Sequence, residues 1–179
     1  VREICRRLDG LPLAIELVAT WVGVLPVADI AQRFDERLLT GGSRTAQARQ
    51  QTLRASLDWS YQLLSTDEAR LFRGLAVFAG GWTLEATEAV LAAAVDGEDV
   101  LTTLRHLLDK SLVTVEPTHS GVRYRFLETV RQYAREQLQA VPASGYPEAA
   151  ATRDRHLVWC LALVEEASAL AAHHGEIVL

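Results

Sequence analysis

Hydrophobic positions in the first forty residues recur at helical spacing. Residues 2–8 predict the last turns of one helix, and residues 12–24 predict a second helix with an apolar stripe. Residues 27–39 predict a third, short helix. We expect these helices to belong to a small bundle whose other members precede Val1. The polar, glycine-containing stretch 40–49 is a candidate domain boundary.

A second helical block follows this stretch. Apolar spacing predicts helices over 50–64 and 98–109, the latter with Val100, Leu101, Leu104 and Leu108 inward. Another helix is expected after Ser65, because Ser65 and Glu68 have the spacing of a capping box. Thr83 is the expected N-cap of a further helix that begins at Leu84 and ends near Ala93.

The period changes after residue 111. Residues 112–116 and 122–126 alternate as strands do, and turn-forming residues over 116–121 separate them. Val122, Tyr124 and Phe126 should share one face of the second strand, with both hairpin arginines on the other. A helix over 127–139 follows. Helices, one hairpin and a closing helix are the pattern of a winged-helix domain.

Proline, glycine and serine in residues 141–147 predict a second linker, and a long helix is expected from Glu148. We therefore predict a mainly α fold with three parts. Residues 1–41 would be part of a helical bundle, 42–140 a winged-helix domain, and 141–179 a linker and the first helix of a helical-repeat array. Along the last helix one side is apolar: Leu157, Cys160, Leu161, Val164 and Ala167.

Composition narrows the class of protein. The chain has 179 residues, of which 49% are hydrophobic and 23% charged, as in globular proteins. Its net charge of −5 argues against a large nucleic-acid footprint, which normally makes a domain basic. The two cysteines, Cys5 and Cys160, fit buried free thiols in a reducing compartment. No stretch has the 20 or so uninterrupted apolar residues of a membrane span, so a cytoplasmic protein is expected.

Catalytic and metal-binding motifs are not found in the sequence. It contains no glycine-rich phosphate loop, and Lys110 is its single lysine. His173 and His174 are adjacent, so they point apart on a helix and cannot readily share a metal ion. The adjacent acidic pairs 67–68 and 165–166 suit solvated faces or first-turn charges. We therefore predict no enzyme activity, catalytic residue, metal or cofactor for this chain by itself.

The corner formed by Gly10, Leu11 and Pro12 is the first candidate site. Gly10 suits the left-handed end of one helix, and Pro12 suits the first turn of the next. By spacing alone, this corner indicates a helix–helix turn.

DNA contact is the second candidate. The expected recognition helix near 98–110 would expose Thr102, Thr103, Arg105, His106 and Asp109, while acidic residues crowd its N-terminal end. In the hairpin, Arg123 and Arg125 could meet phosphate, which gives a small electrostatic contribution to binding.

Several motifs in order resemble one protein family. Residues 10–14 (GLPLA) resemble the Gly-Leu-Pro-Leu-Ala motif of NB-ARC and related STAND-class signalling ATPases. Residues 51–61 (QTLRASLDWSY) and 71–78 (LFRGLAVF) resemble the opening of that family's winged-helix subdomain, and 123–134 (RYRFLETVRQYA) its closing segment. The form is that of the bacterial branch, in multidomain transcriptional regulators of LuxR or SARP type.

The resemblance implies a segment of a nucleotide-dependent switch. An upstream P-loop domain of the longer chain would bind ATP or ADP with Mg²⁺, and the helical and winged-helix parts would fold over it. Pro12 matches the proline beside the nucleotide base, with Gly10 and Leu11 shaping the corner. Leu127 stands where the family's Met-His-Asp motif has histidine, so the phosphate contact of that histidine is absent.

The sequence thus predicts a regulatory segment that couples the upstream ATPase domain to downstream output. Its expected partners are that domain and downstream helical repeats, with DNA contacted through another domain of the longer chain. Two alternatives are a winged-helix DNA-binding domain of a transcription factor and a helical protein-interaction scaffold.

Overall fold

The computed structural model describes residues 2–8, 11–31, 46–95, 99–119, 121–140 and 148–176. This part of the chain is mainly helical, with one two-stranded antiparallel hairpin, as predicted. Short 3₁₀ turns cover Thr20–Gly23 and Ala92–Ala94, and residues 27–31 are helical. The elements are α1 (Arg2–Arg7), α2 (Pro12–Ala19), α3 (Ala46–Gln62), α4 (Thr66–Leu75), α5 (Leu84–Leu91), α6 (Val100–Asp109), β1 (Thr114–Thr118), β2 (Gly121–Arg125), α7 (Glu128–Ala140) and α8 (Glu148–Glu176).

Side-chain caps fix the starts of the central helices. Ser65 Oγ accepts from the Glu68 N–H at 3.2 Å, and Glu68 Oε2 accepts from the Ser65 N–H at 2.8 Å. This is the predicted capping box, which satisfies two backbone donors that a helix start leaves unpaired. Thr83 caps α5 as predicted, through the N–H of Ala86. Asp99 caps α6, so this helix begins later than the expected residue 98.

Some expected boundaries shift. α3 begins at Ala46, inside the stretch that we expected to be a polar break. β1 begins at Thr114 and includes Pro117, so the turn is shorter than predicted. Proline is tolerated there because the two-stranded hairpin leaves an edge on which an N–H is not required. Residues 32–45 and 141–147 lie outside the described part of the chain. Both expected domain boundaries fall in or next to these residues.

The main core lies between α4, α5, α6 and α7. Phe72 packs edge-on against Phe126, with ring centroids 5.3 Å apart, and Trp82 packs on the same Phe126 ring at 5.1 Å. Leu104 and Leu107 on α6 are fully buried in this core. Leu101, which we expected inward, is 51% exposed, so that prediction is wrong. Leu107 occupies the inward position because α6 is rotated relative to the predicted stripe.

A second core joins the N-terminal helices to the winged helix. Its buried members are Leu8, Ala14, Val18, Trp21, Ile30 and Trp59. Trp21 packs edge-on against Trp59 of α3 at 5.9 Å between ring centroids. Leu17 of α2 belongs to the main core, and Leu53 contacts both cores. The described N-terminal helices and the winged helix are therefore packed as one continuous body.

The hairpin is extended by one residue, Trp82, from a turn that lies far from it in the sequence. β1 and β2 pair with Glu116 opposite Arg123 and Val115 opposite Tyr124. Trp82 forms an isolated antiparallel bridge to Tyr124, with both N–H···O distances 2.8 Å. Trp82 thus acts as a short third strand beside β2. Burial increases along the predicted inner face, from Val122 at the turn to the buried Phe126.

Candidate nucleic-acid interface

The outer face of α6 is the surface that a winged helix would present to a DNA groove. Leu101, Arg105 and Asp109 follow one another at four-residue spacing and are exposed. Arg105 lies 3.9 Å from Asp109, an exposed i,i+4 pair of the kind that contributes little to stability. Thr103 is fully buried, and its hydroxyl donates to the carbonyl of Asp99 at 3.1 Å. The prediction that Thr103 is exposed is therefore wrong.

The N-terminal end of this face is acidic. Asp99 accepts hydrogen bonds from the backbone and the hydroxyl of Thr102, both at 2.8 Å. These bonds lower the pKa of the Asp99 carboxyl, so it is ionised at neutral pH. A carboxylate at this position opposes an approaching phosphate.

The C-terminal end of α6 is held by a buried carboxylate. Glu68 is 5% exposed; its Oε1 pairs with the Lys110 ammonium and lies 3.4 Å from His106 Nδ1. Lys110 Nζ also lies 5.7 Å from the ring centroid of Trp21. Lys110 and His106 therefore both contact Glu68 within the chain. Glu68 is a first-turn charge, one of the two expected settings, but it is not solvated.

The hairpin carries both expected arginines on its outer side. Arg123 Nη2 donates to the carbonyl of Gly81 at 2.5 Å, and Arg125 forms an ion pair with Glu116. Beside them, Arg131 in the first turn of α7 is bidentate to Glu128, at 2.8 and 2.7 Å. This contact lowers the pKa of the Glu128 carboxyl. The structure therefore brings Arg123 and Arg125 together with Arg131, and leaves Arg105 on a separate helix.

Sequence patterns did not indicate Arg131 as part of this site. The sequence shows only that Arg131 follows two alternating arginines and lies near the start of a predicted helix. The Gly80–Gly81 turn that closes the same surface comes from 42 residues earlier and gave no local signal.

In the described part of the corner, Pro12 begins α2 as predicted. Leu11 is extended, with ψ 117°, and Pro12 occupies the first turn of α2. Leu11 N–H donates to the carbonyl of Leu8 at 3.0 Å, and the Pro12 side chain is exposed. Gly10 lies outside the described residues. The nucleotide-facing role of this corner stays a prediction.

Other expectations concern metals, membranes and thiols. Within the described ranges, no cluster of three or more metal-ligating side chains is present. None of the described helices is long and apolar enough to cross a membrane. Cys5 and Cys160 are free thiols as expected, but both are half-buried rather than buried.

Comparison with known proteins agrees with this architecture. Residues 64–139 match the model of a family described as a winged helix-turn-helix domain. A Mycobacterium bovis protein named "Putative HTH-type transcriptional regulator" is 53% identical over 141 residues, covering 77% of this chain and 16% of that protein. A Mycobacterium tuberculosis protein with the same printed name has the same figures.

A second Mycobacterium tuberculosis protein, named as uncharacterized, is 43% identical over 159 residues, which cover 87% of this chain and 40% of that protein. The chain therefore spans less than half the length of these relatives. Residues 64–139 are a winged helix-turn-helix domain, in a chain that is similar to proteins named as transcriptional regulators.

Proposed function

We propose that this chain is the winged-helix segment of a transcriptional regulator and that the winged helix contacts DNA. One observation carries the proposal. Helix α6 follows α5 in a helix-turn-helix order, has an exposed outer face, and is flanked by a hairpin that Trp82 extends. This is the arrangement in which a recognition helix enters a groove and the wing meets the backbone. The names of the mycobacterial relatives agree with a role in transcription.

The charge around this surface sets the strength of the contact. Arg105, Arg123 and Arg125 are the exposed cations that would meet phosphate. Their neighbours Asp109 and Glu116 are carboxylates paired with two of them. Three phosphate contacts give a salt dependence of log K no steeper than about −2.7. We therefore expect weak binding that is detected at low salt.

A titration of the 179-residue chain against labelled duplex DNA tests this proposal. Fluorescence anisotropy at low salt should show binding that falls as salt rises. Arg105→Gln should weaken it several-fold, whereas Arg153→Gln, an exposed arginine on α8, should leave it unchanged. Absence of binding at low salt, or equal effects of the two variants, would show that α6 does not contact DNA.

A second candidate is the coupling of an upstream nucleotide-binding domain to the winged helix. The specific observation that favours it is the exposed Pro12 on a helix whose Leu17 is part of the winged-helix core. Movement of α2 by a domain that contacts Pro12 would be transmitted to α3, against which α2 packs, and through Leu17 to the main core. ATP or ADP with Mg²⁺ would be the ligand of that upstream domain, and helical repeats after α8 would receive the signal.

The test of coupling uses the longer protein that contains this segment. Pro12→Ala should speed the release of bound ADP without changing the melting temperature, because the proline ring is exposed. Pro26→Ala is the matched control, since Pro26 is also exposed and precedes a helical segment. Unchanged ADP release in Pro12→Ala, measured with a fluorescent ADP analogue, would exclude a role of this corner at the nucleotide.

A further inference from the structure

A cavity of about 320 Å³ lies between the hairpin, the Gly80–Gly81 turn and the start of α7. Three arginines and two glutamates line it, so its charged groups sum to +1. These are Arg123, Arg125, Arg131, Glu116 and Glu128. Such a concentration of guanidinium groups stands out in a chain whose net charge is −5. Guanidinium groups are the preferred side chains for planar, bidentate contact with phosphate.

The two glutamates that line the cavity are exposed, and each forms an ion pair with one of its arginines. Glu116 and Glu128 have side chains that are 56% and 73% exposed, whereas Arg131 is 23% exposed. Exposed ion pairs are weak, so an incoming anion can replace the glutamates. Arg123 donates to the carbonyl of Gly81 rather than to a carboxylate. Within the described residues, Arg123 forms no ion pair with a carboxylate, although Glu116 lies opposite it in the hairpin.

Backbone geometry keeps these arginines beside the turn. An added Cβ on Gly81 would lie 2.9 Å from the carbonyl oxygen of Tyr124 and 3.2 Å from Arg123 Nε. The turn can approach the hairpin this closely because residue 81 has no side chain. The start of α7 lines the same cavity, and the unpaired N–H groups of a helix start add partial positive charge.

We propose that this cavity is a phosphate-binding site in which Arg123, Arg125 and Arg131 hold a phosphate group that replaces Glu116 and Glu128. The phosphate could be supplied by a nucleic-acid backbone or by a free phosphate compound. The inference deepens the proposed function, on which it rests for a nucleic-acid phosphate at Arg123 and Arg125, and binding of a small phosphate is measurable without DNA. It also gives a function to Arg131, which neither the α6 surface nor the Pro12 corner uses.

Calorimetric titration of pyrophosphate into the 179-residue chain, in low-salt buffer without divalent cations, tests the site. The expected result is binding of one pyrophosphate per chain. Arg131→Gln and Arg125→Gln should each weaken it about tenfold, because each removes a charge-assisted contact. Glu128→Gln should strengthen it about threefold, because it removes the competing carboxylate. Arg105→Gln, on α6, should leave it unchanged.

Competition with duplex DNA then identifies the source of the phosphate. Release of pyrophosphate by DNA shows that the site holds the nucleic-acid backbone, and retention shows that it holds a free phosphate compound. Lack of pyrophosphate binding overturns the proposal. So does an unchanged affinity in both Arg131→Gln and Arg125→Gln with wild-type melting temperatures, or an equal loss in Arg105→Gln. The pyrophosphate titrations of the wild type and the variants do not depend on whether α6 contacts DNA.

Discussion

Glu68 joins the start of α4 to the end of α6 through a single carboxylate. It accepts from the backbone of Ser65, pairs with Lys110 at the end of α6, and lies beside His106. Lys110 in turn lies against the ring of Trp21, which belongs to the N-terminal helices. The carboxylate is almost fully buried, so these partners replace the water that it loses. At the residue scale, this carboxylate fixes α6 against both cores.

Replacement of Glu68 by glutamine should therefore destabilise the fold. The variant leaves the Lys110 ammonium without its carboxylate, and Lys110 is only 20% exposed. Loss of one partner of a buried pair costs about 3–5 kcal/mol, and partial solvation of Lys110 reduces this to about 2 kcal/mol. Urea unfolding measures the change in the free energy of unfolding.

Glu88→Gln is the matched control for this prediction, since Glu88 is exposed on α5. We expect it to alter stability by less than about 0.5 kcal/mol. If Glu68→Gln is as mild as the control, the pair with Lys110 does not stabilise the folded chain.

The hairpin depends on the turn before α5 at the element scale. A two-stranded hairpin is marginal in water, and here Trp82 supplies both hydrogen bonds and a buried ring behind it. The ring of Trp82 is 2% exposed and contacts Phe78 and Phe126. Gly81 precedes it and lets the turn lie directly against β2. The hairpin is thereby anchored to the core that positions α6.

Gly81→Ala should weaken this anchor. The new Cβ would meet the backbone oxygen of Tyr124 at 2.9 Å, and backbone cannot move aside as a flexible side chain can. We expect a loss of about 1–3 kcal/mol in the free energy of unfolding, the usual cost of overpacking.

Gly80→Ala offers a close control for this change, since an added Cβ at Gly80 meets nothing within 4 Å. Thermal unfolding of the two variants should separate them by several degrees. Equal melting temperatures would mean that the turn does not need a glycine against β2.

Local signals predicted much of this fold, and non-local ones were missed. Ser65 and Thr83 were found as caps because capping depends on residues three positions apart. Trp82 gave no strand signal, because a single bridged residue has no alternation to detect. Glu68 was expected at a first turn, but its burial depends on Lys110, 42 residues away. Arg123 and Arg125 were predicted from alternation, whereas their proximity to Arg131 follows from how the hairpin leads into α7.

At the scale of the whole molecule, α8 is attached to the winged helix by its N-terminal half. Arg155 Nε donates to the carbonyl of Val90 at 2.7 Å, and Arg73 Nη2 donates to Glu148 at 3.1 Å. Beyond residue 160, the described side chains of α8 are exposed, and Leu161 and Val164 lie on the predicted apolar side. The helix therefore follows any movement of α5, with its distal half free of contact with the described core.

His156 makes this attachment sensitive to pH. Its ring packs edge-on against Phe78, with centroids 5.0 Å apart, and burial lowers its pKa. Protonation is then less favourable in the folded protein than in the unfolded chain, where the pKa of histidine is about 6.5. Below that pH the unfolded chain binds more protons, so the free energy of unfolding falls.

The stability of the wild type relative to His156→Gln should therefore decrease from about pH 7 downward, until the lowered folded-state pKa is passed. Urea unfolding across pH 5–8 compares the two proteins. A pH-independent difference between wild type and His156→Gln would mean that the ring is as easily protonated in the folded chain as in the unfolded one.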